Sequence, residues 1–138
     1  MDHAYYFSEG FAAVRINDKW GFIDQSGNVV ISPQFEQAHD FHETLAGVKI
    51  NDQWGFVNQN GEIVIAPQFN IDSNFGNDFS EGLAAVKIND KWGFVDQSGN
   101  FVITPQFEQA NDFSEGLAAV KTNDEWGFID QSGKFIAP

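Results

Sequence analysis

The sequence carries a Trp-Gly dipeptide four times at nearly constant intervals. The tryptophans are separated by 34, 38 and 34 residues. The four dipeptides are Trp20-Gly21, Trp54-Gly55, Trp92-Gly93 and Trp126-Gly127. A fixed period of this size is the signature of a tandem-repeat protein, in which each copy packs on its neighbours. We therefore interpret residues 1–138 as a single repeat domain of four copies.

The copies extend well beyond the dipeptide. They lie at about 2–35, 36–69, 70–107 and 108–138, and together they account for almost every residue. Residues 2–7 align with residues 36–41, so the sequence opens in phase with its own repeat. The third copy carries four extra residues between Phe69 and Phe79. Insertions in repeat proteins map to loops, often on the binding face.

The local pattern predicts strands and excludes helices. Gly follows each Trp, a Ser-Gly or Asn-Gly pair lies five residues further on, and Pro recurs in each copy, so that any helical window is broken. The remaining segments are short and rich in Val, Ile and Phe. In the first copy we predict strands over 11–16, 19–24 and 28–32, with equivalents in the other copies up to a last strand over 134–137.

The segments between the predicted strands carry turn chemistry. Asn-Asp separates the first two strands of each copy, and both residues tolerate the left-handed conformation of a tight hairpin. Asp-Gln-Ser-Gly separates the second and third strands in most copies and is typical of a type I turn closed by a glycine bulge. Each copy is therefore predicted to be a small three-stranded β-meander.

Alternation along the strands makes both faces of a meander apolar, so neighbouring copies must cover each other. Trp and Phe are expected to form this core, although exposed rings could instead bind a ligand. The glycine after each Trp is expected to leave room for a neighbouring ring. The predicted fold is all-β, with four three-stranded units stacked as an open twisted array. A small four-bladed β-propeller is the alternative if residues 34–37 and their equivalents add a fourth strand.

Charge limits the classes of partner. Seven basic and 20 acidic residues give a formal net charge of −13, which repels nucleic acid and anionic membrane surfaces. No apolar run is long enough to span a bilayer, and we expect no membrane association. The chain has no cysteine, which is compatible with any compartment. It opens without a signal-peptide pattern, so a cytoplasmic location is expected.

The combination of motifs resembles a known family. Residues 19–35 read Lys-Trp-Gly-Phe-Ile-Asp-Gln-Ser-Gly-Asn-Val-Val-Ile-Ser-Pro-Gln-Phe, and closely similar strings recur at 53–69 and 91–107. This pattern, with the preceding Phe-Ser-Glu-Gly-Leu-Ala-Ala-Val, resembles the WG repeat family of bacterial β-repeat proteins. The resemblance implies a β-rich tandem array used as an accessory or interaction region, and it implies no catalytic residues.

Several polar patterns resemble sites, but we interpret them as structural. The Asp-Gln-Ser-Gly turns resemble calcium loops, but each supplies too few carboxylates, and a cation-stabilised array remains an alternative. His39 and His42 lack a third metal ligand in the sequence. Glu9 and its equivalents share one local setting, which does not suit an acid and base pair. We predict no catalytic residue, metal or cofactor.

Candidate binding residues lie where the copies differ. One group is the insertion of the third copy, and a second is the departure from Ser-Glu-Gly in the second copy. A third is the pair of tyrosines near the start. The candidate partner-binding residues are Tyr5, Tyr6, His42, Asn70, Ile71, Asp72, Asn74 and Phe75.

The predicted function is a non-enzymatic binding scaffold. It would mediate contact with a protein partner or self-association, through repeat surfaces and through the uncapped first and last copies. One alternative is a small-ligand or glycan binder that uses aromatic side chains. A second is a calcium-stabilised structural array.

Overall fold

The computed structural model describes residues 5–71 and 78–136 of the chain. Over these residues the protein is all-β, with 14 strands in four antiparallel sheets and no helix. Each repeat copy supplies one sheet, and each sheet is open. The predicted all-β tandem repeat is therefore confirmed.

The strands follow the repeat. The first copy contains β1 (Phe11–Ile16), β2 (Lys19–Asp24) and β3 (Val29–Phe35). The second contains β4 (Gln37–Ala38), β5 (Ala46–Ile50), β6 (Gln53–Val57) and β7 (Ile63–Phe69). The third contains β8 (Phe79–Ser80), β9 (Leu83–Ile88), β10 (Lys91–Val95) and β11 (Phe101–Phe107). The fourth contains β12 (Gln109–Ala110), β13 (Ala118–Thr122) and β14 (Glu125–Ile129).

Among the described residues, the first and fourth sheets have three strands, and the second and third have four. The second and third sheets have the orders β4-β5-β6-β7 and β11-β10-β9-β8, in which a two-residue strand pairs with the outer edge of the copy's first long strand. Gln37 and Ala38 pair with Lys49 and Val48 in this way. In the fourth copy the predicted strand over 134–137 is reduced, within the described residues, to a bridge between Ile129 and Phe135.

The two-residue hairpin turns form as predicted. Ile16 pairs with Lys19, which leaves Asn17 and Asp18 as the whole turn. Both residues have positive φ, 51° and 67°, as a type I′ turn requires. The equivalent Asn-Asp pairs of the other copies have the same conformation.

The third strand of the first three copies runs through its proline, further than the sequence predicted. β3 continues past Pro33 to Phe35, which pairs with Trp20, and the register shifts between Trp20 and Phe22. This strand forms one edge of its sheet. Proline is tolerated in an edge strand, where it also blocks edge-to-edge pairing.

The chain divides into two compact units, Met1–Pro67 and Gln68–Pro138, each holding essentially two copies. In the first unit, residues of both sheets share one core, made of Phe22, Ile31, Phe35, Phe41, Ala46, Val48 and Val57. In the second unit the fully buried side chains include Trp92, Phe94, Phe107, Phe113 and Ile129. Within each unit, therefore, the second copy of the pair helps to bury the first.

Candidate interaction surface

The glycine of each Trp-Gly dipeptide makes room for backbone. A Cβ atom on Gly93 would lie 2.7 Å from the carbonyl oxygen of Ile103 and 2.8 Å from the nitrogen of Pro105. Gly21 and Gly55 face their own third strands at similar distances. The expectation that these glycines accommodate a ring is therefore wrong in the first three copies, because the third strand passes directly over them.

Consecutive copies are joined by an aromatic contact that recurs in both units. The ring of Phe41, from the second copy, lies with its centroid 4.8 Å from that of Phe22 in the first copy. Phe113, from the fourth copy, lies 4.8 Å from Phe94 in the third. The phenylalanine before the Ser-Glu-Gly turn of one copy thus covers the Trp-Gly-Phe strand of the copy before it.

A side-chain hydroxyl accompanies each aromatic contact. Ser8 Oγ donates to the backbone carbonyl of Phe41 at 2.6 Å, and Ser80 Oγ donates to that of Phe113 at 2.7 Å. The serine of one Ser-Glu-Gly turn therefore binds the backbone just before the equivalent turn of the next copy.

The glutamate of the same turn completes the contact. The Glu9 carboxylate accepts the backbone N–H groups of Glu43 at 2.6 Å and Thr44 at 2.9 Å. Glu81 likewise accepts the N–H of Gly116 at 2.9 Å. These turn residues have positive φ, so their amides point away from the sheet ladder and are satisfied by the preceding copy.

The fourth copy presents the same strand to solvent. Trp126 and Phe128 are each 55% exposed, whereas Trp92 is 2% and Phe94 is 0% exposed. An open groove of about 680 Å³ lies over this strand. We call it the fourth-copy groove, and its apolar lining comprises Leu117, Trp126, Gly127, Phe128, Phe135 and Ile136. The predicted core role is therefore wrong for Trp126.

A short third segment explains part of this exposure. The stretch from Gly133 to the next proline is one residue shorter than the stretch after Gly99. Where the third copy places backbone over Gly93, the fourth places the Phe135 ring, 3.5 Å from a Cβ on Gly127. Ile136 N–H bonds to the Phe128 carbonyl at 2.9 Å. The Phe135 ring therefore covers Gly127 only in part and is itself half exposed, and Trp126 and Phe128 beside it stay exposed.

The Asp-Gln-Ser-Gly segments are turns held by their own aspartate. Asp24 Oδ1 accepts the backbone N–H groups of Ser26 at 2.9 Å and Asn28 at 3.0 Å. In the fourth copy, a bond from the Ser132 hydroxyl, followed by bonds from backbone amides, lowers the pKa of Asp130 below 3.8. Asn58 makes the same two backbone bonds in the second copy without a charge. This bonding accounts for the repeated aspartate as a turn residue.

His39 and His42 make other contacts in the second copy. The His39 ring packs against Trp54 in a tilted geometry, with centroids 4.5 Å apart. The backbone of His42 forms a bridge with Leu45. Among residues 5–71 and 78–136, no group of three or more His, Asp or Glu side chains is arranged to hold a metal ion.

The candidate binding residues differ in their exposure. Tyr6 is exposed, but Tyr5 is half-buried because it packs against Ala12, Val14 and Ile23, so the expectation of an exposed Tyr5 ring is wrong.

In the third copy Ile71 is buried, which contradicts its prediction as a binding residue, and Asn70 is exposed with its N–H bonded to the Lys87 carbonyl at 3.0 Å. His42 is half-buried. The remaining candidates lie outside the described residues: Asp72, Asn74 and Phe75.

Sequence reasoning missed the fourth-copy groove. Leu117, Trp126 and Phe128 match positions that are buried in the second and third copies, so the repeat pattern alone assigns them to the core. The available signal was the missing residue between Gly133 and Pro138, which indicates that the third strand cannot follow the usual course.

Four open antiparallel sheets, each supplied by one Trp-Gly copy, define a tandem β-repeat protein. The family described as WG containing repeat matches residues 2–20, 20–54, 54–92, 92–126 and 126–138, and the chain belongs to that family. The family matches begin and end at the tryptophans, whereas the copies described above begin about 16 residues after them.

Among solved structures, the chain is similar to a crystal structure of a plant lectin with two metal binding sites from Cicer arietinum. The two are 13% identical, the match covers 96% of this chain and 88% of the lectin chain, and the TM-score is 0.35. The comparison with curated proteins gave no match. No helix able to cross a membrane occurs in the part of the chain that the structure describes.

Proposed function

We propose that the chain is a non-enzymatic binding scaffold that holds a protein ligand in the fourth-copy groove. The observation that carries the proposal is the exposure of Trp126 and Phe128, whose equivalents in the third copy are buried. Clustered exposed aromatic rings favour protein contact because each ring buries a large apolar area with few side-chain torsions to order.

The edge of β14 favours an extended ligand. β14 is the last strand in the sheet order β12-β13-β14. Among described residues its outer side carries the bridge of Ile129 to Phe135 and the bond from the Ile136 N–H to the Phe128 carbonyl. A strand edge beside apolar side chains is an arrangement to which an extended peptide can add as a further strand. We therefore expect the ligand to be an extended segment that contains at least one aromatic side chain.

The non-enzymatic part of the proposal is supported by the hydrogen bonds that the repeated carboxylates accept from backbone amides. Glu9 and Glu81 accept the turn amides of the following copy. Asp24 and Asp130 hold the amides of their own turns. Each of these groups has a structural role that accounts for its repetition in the sequence.

A peptide-display selection on the immobilised chain tests the proposal. We expect enriched peptides to carry an aromatic residue and to bind the Trp126→Ser/Phe128→Ser variant at least about tenfold more weakly, as for residues that dominate an interface. Val64→Ser is the matched control, because Val64 is also exposed and apolar but lies in the second copy. Equal binding by all three proteins, or no enrichment, would refute the proposal.

The exposed Trp126 ring also favours a second candidate, a glycan stacked on the aromatic face. Trp fluorescence titrated with a panel of soluble oligosaccharides distinguishes the two. A saturable change that is lost in Trp126→Phe would support the glycan, and no response across the panel would remove it.

A further inference from the structure

We infer that the fourth-copy groove accepts the first copy of a second molecule of this chain, in a head-to-tail contact. The inference rests on the proposed function, since it names the protein ligand of the same groove. Its basis is the contact between consecutive copies that each compact unit already contains. The first and fourth copies expose the two complementary halves of that contact.

The apolar half of the contact pairs Phe7 with Phe128. Phe7 occupies in the first copy the place that Phe41 occupies in the second, and it is 36% exposed whereas Phe41 is fully buried. Phe128 occupies the place of Phe22, on which Phe41 packs at 4.8 Å. A second molecule that places Phe7 on Phe128 would therefore reproduce a ring contact already present within the chain.

The serine of the contact is also available. Ser8 donates its hydroxyl to the Phe41 carbonyl at 2.6 Å. Ser114 is the equivalent serine of the fourth copy; it is exposed, and its hydroxyl makes no hydrogen bond within the described residues. The carbonyl of Phe7 likewise accepts none there. One bond from Ser114 to Phe7 of the second molecule would satisfy both groups.

The glutamate completes the match. Glu9 accepts the turn amides of Glu43 and Thr44. Glu115, its equivalent in the fourth copy, is exposed, and across residues 5–71 and 78–136 its carboxylate accepts no hydrogen bond. Glu9 and Gly10 have positive φ, and their backbone N–H groups have no acceptor among residues 5–71 and 78–136. A carboxylate facing two free turn amides is a charge-assisted pairing.

The contact joins two different surfaces, so it is heterologous and can repeat from molecule to molecule. The net charge of −13 opposes association of like molecules. At about 1 M salt the Debye length falls to about 3 Å, so this repulsion is screened. We therefore expect association to strengthen from low to high salt, as it should for a contact built around apolar rings.

Sedimentation velocity of the full chain over a wide concentration range, at low and high salt, tests the inference. We expect the weight-average sedimentation coefficient of the wild type to rise with concentration. Phe7→Asp and Phe128→Asp should each be monomeric alone, since each destroys one half of the contact. Mixed together, they should form a one-to-one complex and nothing larger, because each retains the half that the other lacks.

Control variants separate docking from folding. Both substituted phenylalanines are exposed, so circular dichroism and the melting temperature should match the wild type. Ser114→Ala/Glu115→Gln removes polar contacts alone and should weaken association by about tenfold, within the range for hydrogen bonds to a charged group. Val64→Asp, an exposed position outside the contact, should associate as the wild type does.

Three results would overturn the inference. They are a monomeric wild type at every concentration, a Phe7→Asp variant that still self-associates, and a mixture of the two variants that stays monomeric. None of these affects the peptide selection. Peptides that bind the groove of a strictly monomeric chain would retain the proposed function and remove this occupant.

Discussion

The third and fourth copies carry the same Trp-Gly-Phe strand in opposite environments. Trp92 and Phe94 of the third copy are buried, whereas Trp126 and Phe128 of the fourth are more than half exposed. The strands pair with their own first strands in the same register, Gly93 with Val86 and Gly127 with Val120. The difference therefore comes from what lies over the strand.

Two elements cover the strand of the third copy. The backbone of its own third strand passes over Gly93, and the Phe113 ring of the next copy packs on Phe94. In the described part of the fourth copy, the Phe135 ring takes the place of the third-strand backbone. No ring there takes the place of Phe113. Burial in this fold is thus a property of consecutive copies, as expected for a quasi-one-dimensional architecture.

Removing the phenylalanine ring of the Trp-Gly-Phe strand should give the largest difference in stability between the third and fourth copies. We expect Phe94→Ala to lower the free energy of unfolding by about 3–5 kcal/mol, because it leaves a cavity in a closed core. Phe128→Ala should cost less than about 1 kcal/mol, since its ring is already exposed. Urea denaturation at low protein concentration measures both, and equal losses would contradict the burial difference.

Adding one methyl group at the glycine of the Trp-Gly dipeptide tests the same difference between the third and fourth copies. Gly93→Ala would bring Cβ to 2.7 Å from a backbone carbonyl, and we expect a loss of about 2–3 kcal/mol from the forced backbone shift. At Gly127 the nearest contact is a ring atom at 3.5 Å, so the same substitution should change stability by less than about 0.5 kcal/mol. A tolerant Gly93 would show that the third strand does not pass over it.

The turn glutamates provide a smaller contrast. Glu9→Gln weakens two bonds to the amides of the next copy and should cost about 1 kcal/mol, the low end for charge-assisted bonds because the site is exposed. Glu115→Gln should leave the stability of the monomer unchanged. Thermal unfolding at matched concentration compares the two. A loss at Glu115 equal to that at Glu9 would mean that Glu115 already has an intramolecular role.

The smallest effect concerns acid stability. Bonding to Ser132 holds the pKa of Asp130 below 3.8, so its ionised form stabilises the fold at higher pH, and this contribution is lost as the pH falls through the folded-state pKa. Asp130→Asn should keep the turn, as Asn58 does, but should lower the melting temperature slightly at neutral pH.

The pH profile of the same variant supplies the check on Asp130. As the pH falls below the lowered folded-state pKa, the melting temperatures of the variant and the wild type should converge, because the aspartate of the folded wild type is then protonated. A difference that stays constant throughout the acid range would contradict the role given to the Asp130 charge.

Much of the fold could be predicted because its determinants are local. The Asn-Asp pairs need positive φ at both residues, and β1 and β2 therefore begin and end where the sequence placed them. The continuation of β3 through Pro33 depends on its position at a sheet edge, which one strand's sequence does not reveal. A fourth strand near residues 34–37 was left open by the sequence, and β4 forms at Gln37–Ala38 because it pairs with Lys49 and Val48, which lie later in the chain.

The candidate site could not be predicted because it is an exception to the repeat. Trp126 looks like Trp92 in sequence, and its exposure follows from the length of the segment after Gly133 and from the absence of a covering Phe among the described residues. Two of the variable positions that the sequence favoured are half-buried or buried. Tyr5 and Ile71 contribute to packing.

The central claim is that the Trp-Gly-Phe strand is a surface in the fourth copy and core in the third copy. Solvent paramagnetic relaxation of the four tryptophan rings by NMR, at a concentration where the chain is monomeric, measures this directly. We predict the strongest relaxation for Trp126 and the weakest for Trp92, with the half-buried Trp20 between them. Similar relaxation of Trp126 and Trp92 would contradict the account.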